Sequence, residues 1–221
     1  MAFHRYVVFD SRNTEEALTV FYRLSFVASV LATAATSATH YLAGLYPALA
    51  IGFTPPATYV IYRILAGLTT DRLWRTKAGR WLGVHTRNIA DTWDADIQKK
   101  NLDGSVSTDT GTFCIEQTWR MLSVTLNTGL TRSNSSSAAL ILEAGMLRVE
   151  YQYYAKKNNP QGGEFEDHVG SATLSIPVKD GEPDLEMLDL SYFTNHGEGG
   201  RITLKRKQPD PSLQQSASGG R

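Results

Sequence analysis

The stretch Leu24–Tyr62, LSFVASVLATAATSATHYLAGLYPALAIGFTPPATYVIY, contains no Asp, Glu, Lys or Arg across its 39 residues. One helical pass across a hydrocarbon layer of roughly 30 Å needs about 20 residues, so this stretch, extended by a turn at each end, is long enough for two. A soluble helix keeps charged positions at helical spacing toward water, and this stretch has none. It therefore predicts a membrane hairpin of two α-helices, with a buried helical pair of a soluble α-domain as the alternative.

Caps and prolines set the expected ends of the two helices. Asn13-Thr14 precedes two glutamates, an arrangement typical of a helix start, so the first helix is expected over about residues 14–39. In Thr54-Pro55-Pro56 a capping threonine precedes prolines in the first turn, where the missing N–H is harmless. This restart predicts a second helix over about residues 55–74.

Arg63 leaves the path of the second helix open. In a helix over residues 55–74 it lies near the middle of the span, where a lone cation is costly. The alternative is a pass that starts near Leu42, kinks at the prolines and reaches the interface at Arg63. In both cases basic residues follow the second helix, while the connection between the helices has none. Because segments rich in Lys and Arg tend to stay in the cytoplasm, both termini are expected there. Residues 1–80 are therefore expected to form a multi-pass domain in the lipid bilayer.

Small side chains dominate the second half of the first helix. Small side chains let two helix backbones approach closely, and hydroxyl groups can form hydrogen bonds between helices. The composition therefore favours association between helices. The run consists of Ala28, Ser29, Ala32, Thr33, Ala35, Thr36 and Ala38.

From Asn88 the chain changes to short alternating runs separated by turn residues, the pattern of an antiparallel β-sandwich or barrel. Residues 88–207 are expected to form a small eight-stranded antiparallel β-barrel, lipocalin-like in architecture, and residues 208–221 a disordered tail. The predicted strands are Thr92–Lys99, Gly111–Thr118, Met121–Asn127, Ser136–Glu143, Leu147–Lys156, His168–Val178, Glu186–Phe193 and Arg201–Arg206.

Alternation along these strands directs polar side chains into the expected interior. Tyr151 and Tyr153 share a face with Val149, and Tyr192 shares one with Leu190. An eight-stranded barrel has room for packed side chains or for one small ligand, and buried polar groups need partners. The tyrosines are either ordinary strand aromatics or part of a ligand site. The candidate site consists of Tyr151, Tyr153, Tyr192, Thr194, Asn195 and His196.

Known catalytic spacings are missing from the sequence, which has no GxSxG, HExxH, Walker loop or CxxC. Its one cysteine, Cys114, excludes an internal disulfide and offers no metal-ligand cluster. We therefore expect a protein that is not an enzyme, that has no cofactor or metal, and that takes no DNA or RNA polymer as a partner.

The order of seven segments resembles the two-transmembrane, β-strand-rich effectors of bacterial cyclic-oligonucleotide-based anti-phage signalling (CBASS). The resemblance covers Ala17 to Lys207, and it rests on the order and spacing of the segments rather than on any one of them. The segments are TTDRLWR, IADTW, IEQTWRMLSV, SNSSSAAL, VEYQYY, HVGSATL and SYFTNHGEGGRITL.

This resemblance implies a function. Two helices in the inner membrane would carry a cytoplasmic barrel that binds a cyclic dinucleotide made during phage infection, and binding would drive oligomerisation, membrane disruption and cell death. Tyrosines can stack on bases, and hydroxyl or basic groups such as Thr194 and Arg120 can hold phosphates. In the family an arginine commonly follows the Tyr-Phe-Thr-x segment, where this chain has His196. Phosphate recognition here would then rest on another cation or on a different nucleotide.

Two other functions fit the same features. One is a membrane-tethered, lipocalin-like carrier of an apolar ligand, which requires a drier interior and no phosphate partners. The other is a purely structural membrane-anchored module with a filled barrel.

Overall fold

A computed structural model describes residues 6–7, 11–43, 47–143, 145–157 and 168–207. The chain divides into a helical unit, which reaches Asn88 and includes Thr118–Met121, and a barrel unit built from the remaining residues. The predicted tail, residues 208–221, lies outside the described residues. The helices are α1 (Ser11–Ala43), α2 (Pro47–Asp71) and α3 (Lys77–Leu82), with a 3₁₀ turn at Leu73–Arg75 between α2 and α3.

The second helix begins earlier than the sequence pattern predicts. Helix α2 starts at Pro47, not at Pro55, and it ends at Asp71. A proline in the first helical position loses no hydrogen bond, because that N–H has no intrahelical acceptor. Pro47 therefore provides the helix start that the sequence pattern assigned to the later prolines.

Helices α1 and α2 pack against each other in opposite directions. Val20 and Leu24 of α1 belong to one buried cluster against which Tyr62 and Leu65 of α2 are packed. The buried row continues along α1 at four-residue spacing to Ala28 and Ala32, both fully buried. Small side chains at these positions allow close approach between helices. Ala32, one of the small residues expected to serve association, is thus buried within its own subunit.

The other faces of α1 are apolar and exposed. Glu16–Ala38 is the one segment of the described chain that is long and apolar enough to cross a membrane, and 22% of its most apolar window is buried. A core helix of a soluble protein would bury most of that surface. The exposed side chains of α1 include Leu18, Tyr22, Phe26, Val30 and Leu31. One membrane span is thereby supported, and the second pass of the predicted hairpin stays a prediction.

Glu16 is the hydrogen-bonding centre of the helical unit. Its Oε1 accepts bonds from Trp119 Nε1 at 3.0 Å, Thr86 Oγ1 at 3.0 Å and the Thr86 backbone N–H at 3.3 Å. The Trp119 backbone N–H donates to the carbonyl of Thr70 at 3.2 Å, and the Trp119 ring meets Phe21 edge-on at 6.0 Å. These contacts tie residues 118–121 to both long helices.

The barrel unit is a closed antiparallel barrel of eight strands, which confirms the predicted fold class. Its strands, together with two short flanking ones, are β1 (Tyr6–Val7), β2 (Asp91–Lys100), β3 (Val106–Gln117), β4 (Met121–Thr128), β5 (Thr131–Glu143), β6 (Met146–Lys157), β7 (His168–Lys179), β8 (Glu182–Pro183), β9 (Met187–Thr194) and β10 (Gly199–Arg206). Each strand of the meander β2-β3-β4-β5-β6-β7-β9-β10 pairs with its neighbour, and β10 pairs with β2 to close the barrel.

Two strands begin five residues earlier than predicted, and both differences have the same cause. Strand β3 begins at Val106 rather than Gly111, and β5 begins at Thr131 rather than Ser136. Apart from the exposed Val106, the added segments VSTDT and TRSNS are polar on both faces, so they show no apolar alternation. Their inward positions line a polar cavity, described below, instead of the apolar core.

The seam between β4 and β5 has the shortest ladder of the barrel. These strands share three residue pairs, from Thr125–Asn134 to Asn127–Arg132. Beyond this ladder the Ser135 hydroxyl accepts a hydrogen bond from the Val124 N–H at 2.9 Å, and a bulge follows between Ser135 and Ser137. A side chain thus takes over the role of a backbone acceptor where the two strands separate.

One end of the barrel is filled with apolar side chains. Trp93 and Phe113 are fully buried and meet edge to face, with ring centroids 5.9 Å apart. The indole N–H of Trp93 donates to the carbonyl of Leu185 at 2.9 Å, so its polar group has a partner. Val149, Tyr151 and Tyr153, the inward positions predicted on β6, are buried as expected. The surrounding core includes Ile115, Leu122, Val149, Leu174, Ile176, Leu188, Leu190 and Leu204.

Replacing the central tryptophan should destabilise the barrel strongly. Trp93→Ala removes a fully buried indole and its hydrogen bond, and the expected loss in free energy of unfolding is about 3–5 kcal/mol. Thermal unfolding of the detergent-solubilised full-length protein, followed by β-type circular dichroism, measures it. The matched control is Phe193→Ala, at an exposed position of the same barrel. Equal effects of both substitutions would contradict the assigned core.

Candidate functional site

The other end of the barrel encloses a cavity of about 490 Å³. All eight barrel strands contribute to its wall, because the strands that end or begin at this mouth direct every second side chain inward. Hydroxyl groups dominate the lining: Ser107, Thr108, Thr128, Thr131, Ser133, Tyr151, Tyr153, Tyr192 and Thr194. The floor is apolar and consists of Ile97, Leu126, Leu190 and Ile202.

The cavity exists because small residues are paired with the tyrosines. Tyr151 of β6 is paired with Ala172 of β7, which is paired in turn with Tyr192 of β9. Tyr192 is paired with Gly200 of β10, and Gly200 with Lys99 of β2. Large and small side chains therefore alternate around the wall, so the interior stays open.

Two glycines hold tyrosine rings against the wall. A Cβ atom at Gly200 would lie 2.8 Å from the Tyr192 ring, and one at Gly170 would lie 2.5 Å from the Tyr153 hydroxyl. Each ring therefore rests directly on the backbone of a neighbouring strand. Any larger residue at these two positions would displace the ring toward the centre of the cavity.

Tyr151 is the most buried polar residue of the cavity lining. Tyr151 is 7% exposed, and its ring lies 6.1 Å from that of Tyr153. Burial, and then the neighbouring Tyr153, raises the pKa of Tyr151 well above its ordinary value, so the hydroxyl stays a neutral donor. Tyr153 donates to the carbonyl of Phe193 at 3.4 Å. No residue in the described part of the chain accepts a hydrogen bond from Tyr151.

An ion pair stands at the mouth of the cavity. Lys99 Nζ lies 2.7 Å from Glu198 Oε2, and the Glu198 side chain is only 21% exposed. The Thr194 N–H donates to the Glu198 carbonyl at 2.8 Å, which closes the turn between β9 and β10. Burial and the nearby Glu198 carboxylate raise the pKa of Tyr192. Asp109 of β3 and His168 of β7 complete the ionisable lining.

Four of the seven predicted site residues line this cavity: Tyr151, Tyr153, Tyr192 and Thr194. Asn195 instead extends the pairing of β7 with β9, since its side-chain oxygen and backbone N–H both bond the backbone of Val169. His196 lies outside the described lining, with its ring 4.8 Å from that of His168.

Arg120 does not join the cavity lining. It belongs to the helical unit, and its guanidinium lies 5.6 Å from the centroid of the Phe21 ring. The sequence analysis named Arg120 as a basic group that could hold a phosphate. Its position in the turn between β3 and β4, at the opposite end of those strands from the cavity, separates it from them.

Sequence reasoning missed the charged residues of the cavity. Trp93, Ala95 and Ile97 are buried at every second position of β2, and Lys99 is the next position in this alternation, so the strand pattern could have identified that lysine. Asp109 was missed because the predicted strand began at Gly111. Glu198 lies in a turn, where no periodicity applies, and only the fold brings it to Lys99.

Residues 84–206 match the family model described as Cap15, cyclic dinucleotide receptor domain, which is more than half of the chain. The chain belongs to this family. Over 152 residues it is also 29% identical to CD-NTase-associated protein 15 of Yersinia aleksiciae, in an alignment that covers 66% of this chain and 67% of that protein. The resemblance to CBASS effectors is thereby confirmed. The matched residues contain the complete receptor barrel and its cavity.

Filling part of the cavity should weaken ligand binding while leaving the fold intact. Ala155 lines the cavity from β6, and Ala155→Trp should weaken cyclic dinucleotide binding by about 1–3 kcal/mol, a roughly 5- to 150-fold loss of affinity. Titration calorimetry with a cyclic dinucleotide measures this. Val169→Trp, on the exposed outer face of β7, is the matched control. Undiminished binding to Ala155→Trp would show that the ligand binds elsewhere.

Proposed function

We propose that this cavity is the cyclic dinucleotide site of the receptor and that its occupation drives oligomerisation and disruption of the inner membrane, which kills the infected cell. The observation that carries the proposal is the hydroxyl-lined cavity, whose wall includes the largely buried residue Tyr151, with no acceptor for its hydroxyl among the described residues. Buried tyrosine hydroxyls are normally hydrogen-bonded, so a ligand oxygen is the natural partner. The cavity volume also falls within the range of roughly 300–1,000 Å³ found for ligand pockets.

The lining suits a nucleotide that carries phosphodiesters. Aromatic rings such as Tyr192 offer stacking surfaces for bases. The hydroxyl groups donate to phosphate oxygens without requiring a fixed positive charge. In the family pattern an arginine occupies the position of His196. Lys99 is the one Lys or Arg among the described lining residues, so we assign the phosphate contact of that arginine to Lys99.

The same lining argues against the two other functions. An apolar ligand would leave the hydroxyls and the Lys99–Glu198 pair desolvated without new partners, which is unfavourable. A purely structural barrel would be filled by side chains, whereas this one keeps an open cavity. We propose a receptor that acts by binding and assembly rather than by catalysis.

Removing one hydroxyl provides the direct test. Tyr151→Phe keeps the ring and deletes only the donor, so binding of a cyclic dinucleotide should weaken by roughly 10- to 150-fold, the value of a hydrogen bond to a charged group. The free energy of unfolding without ligand should change by less than about 0.5 kcal/mol, because no protein acceptor is lost.

Calorimetry on the full-length protein in detergent, with a panel of cyclic dinucleotides and a linear dinucleotide as ligand control, gives both the affinity and its specificity. Tyr154→Phe is the matched variant control, since Tyr154 is on the same strand β6 and points to the opposite face. If wild type binds no member of the panel, the proposed function is wrong. If Tyr151→Phe binds as tightly as wild type, Tyr151 is not the anchor.

In this proposal, insertion of the helices in the membrane links ligand binding to assembly. We propose that α1 and α2 both cross the inner membrane, with both termini and the barrel in the cytoplasm, in keeping with the apolar span of α1 and the basic residues after α2. Confinement to a surface raises the effective concentration of barrels, so modest contacts between copies suffice for assembly. A ligand promotes assembly only if it binds the assembled form more tightly.

Enlarging a small exposed residue of α1 should weaken assembly. Ser29 is exposed while Ala28 and Ala32 are buried inside the helical unit, so Ser29→Leu tests contacts between copies without disturbing the hairpin. With saturating cyclic dinucleotide, we expect less cross-linked oligomer in membranes and better survival of cells that also express the nucleotide cyclase. Val30→Leu, at an exposed position that is already large, is the control. Equal killing by Ser29→Leu and wild type would contradict assembly through this face.

A further inference from the structure

Phosphate binding alone does not explain the ion pair between Lys99 and Glu198, because a carboxylate at the mouth of the cavity repels an anionic ligand. We infer that this pair opens when the ligand binds, that Lys99 then contacts a phosphodiester, and that Glu198 selects a guanine base. The inference rests on the proposed assignment of the cavity to cyclic dinucleotides.

The charges of the lining favour opening of the Lys99–Glu198 pair when an anionic ligand binds. Lys99 is accompanied by two carboxylates, Glu198 and Asp109, among the described lining residues. A cyclic dinucleotide carries two phosphodiester anions, and Lys99 is the one ammonium or guanidinium of the described lining. Its Nζ is held 2.7 Å from Glu198 Oε2. Because a phosphate anion and the Glu198 carboxylate repel each other, contact of Lys99 with the phosphate draws its ammonium away from this carboxylate.

Glu198 then needs new donors. Its side chain is 21% exposed, so solvent replaces the lost partner only in part. Leaving a partly buried charge unpaired is unfavourable, and this cost applies to every ligand that fails to supply donors. The discrimination between bases thus arises from what each base presents to the carboxylate.

Guanine is the base that meets this requirement. Its N1–H and 2-amino group form two parallel donors, which match the two oxygens of a carboxylate. Adenine presents one amino donor beside the N1 acceptor, and that acceptor faces a carboxylate oxygen. Uracil presents a single N3–H between two carbonyl oxygens. Only guanine forms two bonds without repulsion.

The neighbouring residues place a base within reach of Glu198. Gly200 follows Glu198 by two residues, pairs with Lys99 and carries the Tyr192 ring on its backbone. The aromatic face, the ammonium and the carboxylate therefore belong to adjacent strand positions. A base stacked on Tyr192 presents its edge to Glu198 while the attached phosphodiester reaches Lys99.

The experiment compares cyclic di-GMP, cyclic GMP–AMP, cyclic di-AMP and cyclic di-UMP by titration calorimetry on full-length protein in detergent. Wild type should bind cyclic di-GMP roughly 10- to 100-fold more tightly than cyclic di-AMP, the discrimination expected of a bidentate contact to a base. Glu198→Gln replaces one acceptor oxygen by a donor, which matches the donor and acceptor of adenine. This substitution should reverse the order of cyclic di-GMP and cyclic di-AMP.

Lys99→Met is the matched control, because it should weaken the binding of all four ligands by a similar factor and leave the order of their affinities unchanged. If the wild-type protein binds none of the four cyclic dinucleotides, the proposed function is wrong. Equal affinities of wild type for cyclic di-GMP and cyclic di-AMP would overturn the base selection and leave the cyclic dinucleotide site standing. Base selection by Glu198 is likewise wrong if Glu198→Gln unfolds like wild type and keeps the wild-type order of affinities. The wild-type comparison decides the inference even where the variant fails to fold.

Discussion

Closure of eight strands into a barrel is the constraint on which the receptor depends. Once every strand has two hydrogen-bonded neighbours, every second side chain must share an interior whose width is set by the number of strands. Large side chains such as Trp93 and Phe113 fill that interior at one end and stabilise the barrel. The apolar end supplies the stability, so the other end can hold a polar cavity without loss of the fold.

The cavity depends on small residues as much as on the tyrosines that line it. Gly170 and Gly200 let two tyrosine rings lie on the strand backbones, and Ala172 separates Tyr151 from Tyr192. These positions carry no ligand-binding group of their own. They nevertheless set the volume available, because a side chain at either glycine would move a ring into the centre.

The helical unit combines an apolar surface with a specific internal structure. The row from Val20 to Ala32 is buried, whereas large side chains on the other faces of α1 are exposed. The carboxylate of Glu16 collects three hydrogen bonds, including one from Trp119 in the turn between β3 and β4. One side of α1 therefore packs within the helical unit, while its other sides present the apolar surface that a bilayer would cover.

The sequence alone determined the helix-plus-barrel architecture, the eight strands and the inward faces of the two tyrosine-bearing strands, because apolar periodicity is a local property of each element. It also identified the family and four residues of the cavity. Where the periodicity stops, at residues 106–110 and 131–135, the strands continue because their inward positions face a cavity rather than a core. The tertiary structure alone decided that Lys99 pairs with Glu198, that Arg120 packs on Phe21, and that glycines support the tyrosine rings. These are contacts between distant segments, which depend on strand register and closure of the barrel and leave no periodic signal in any single segment.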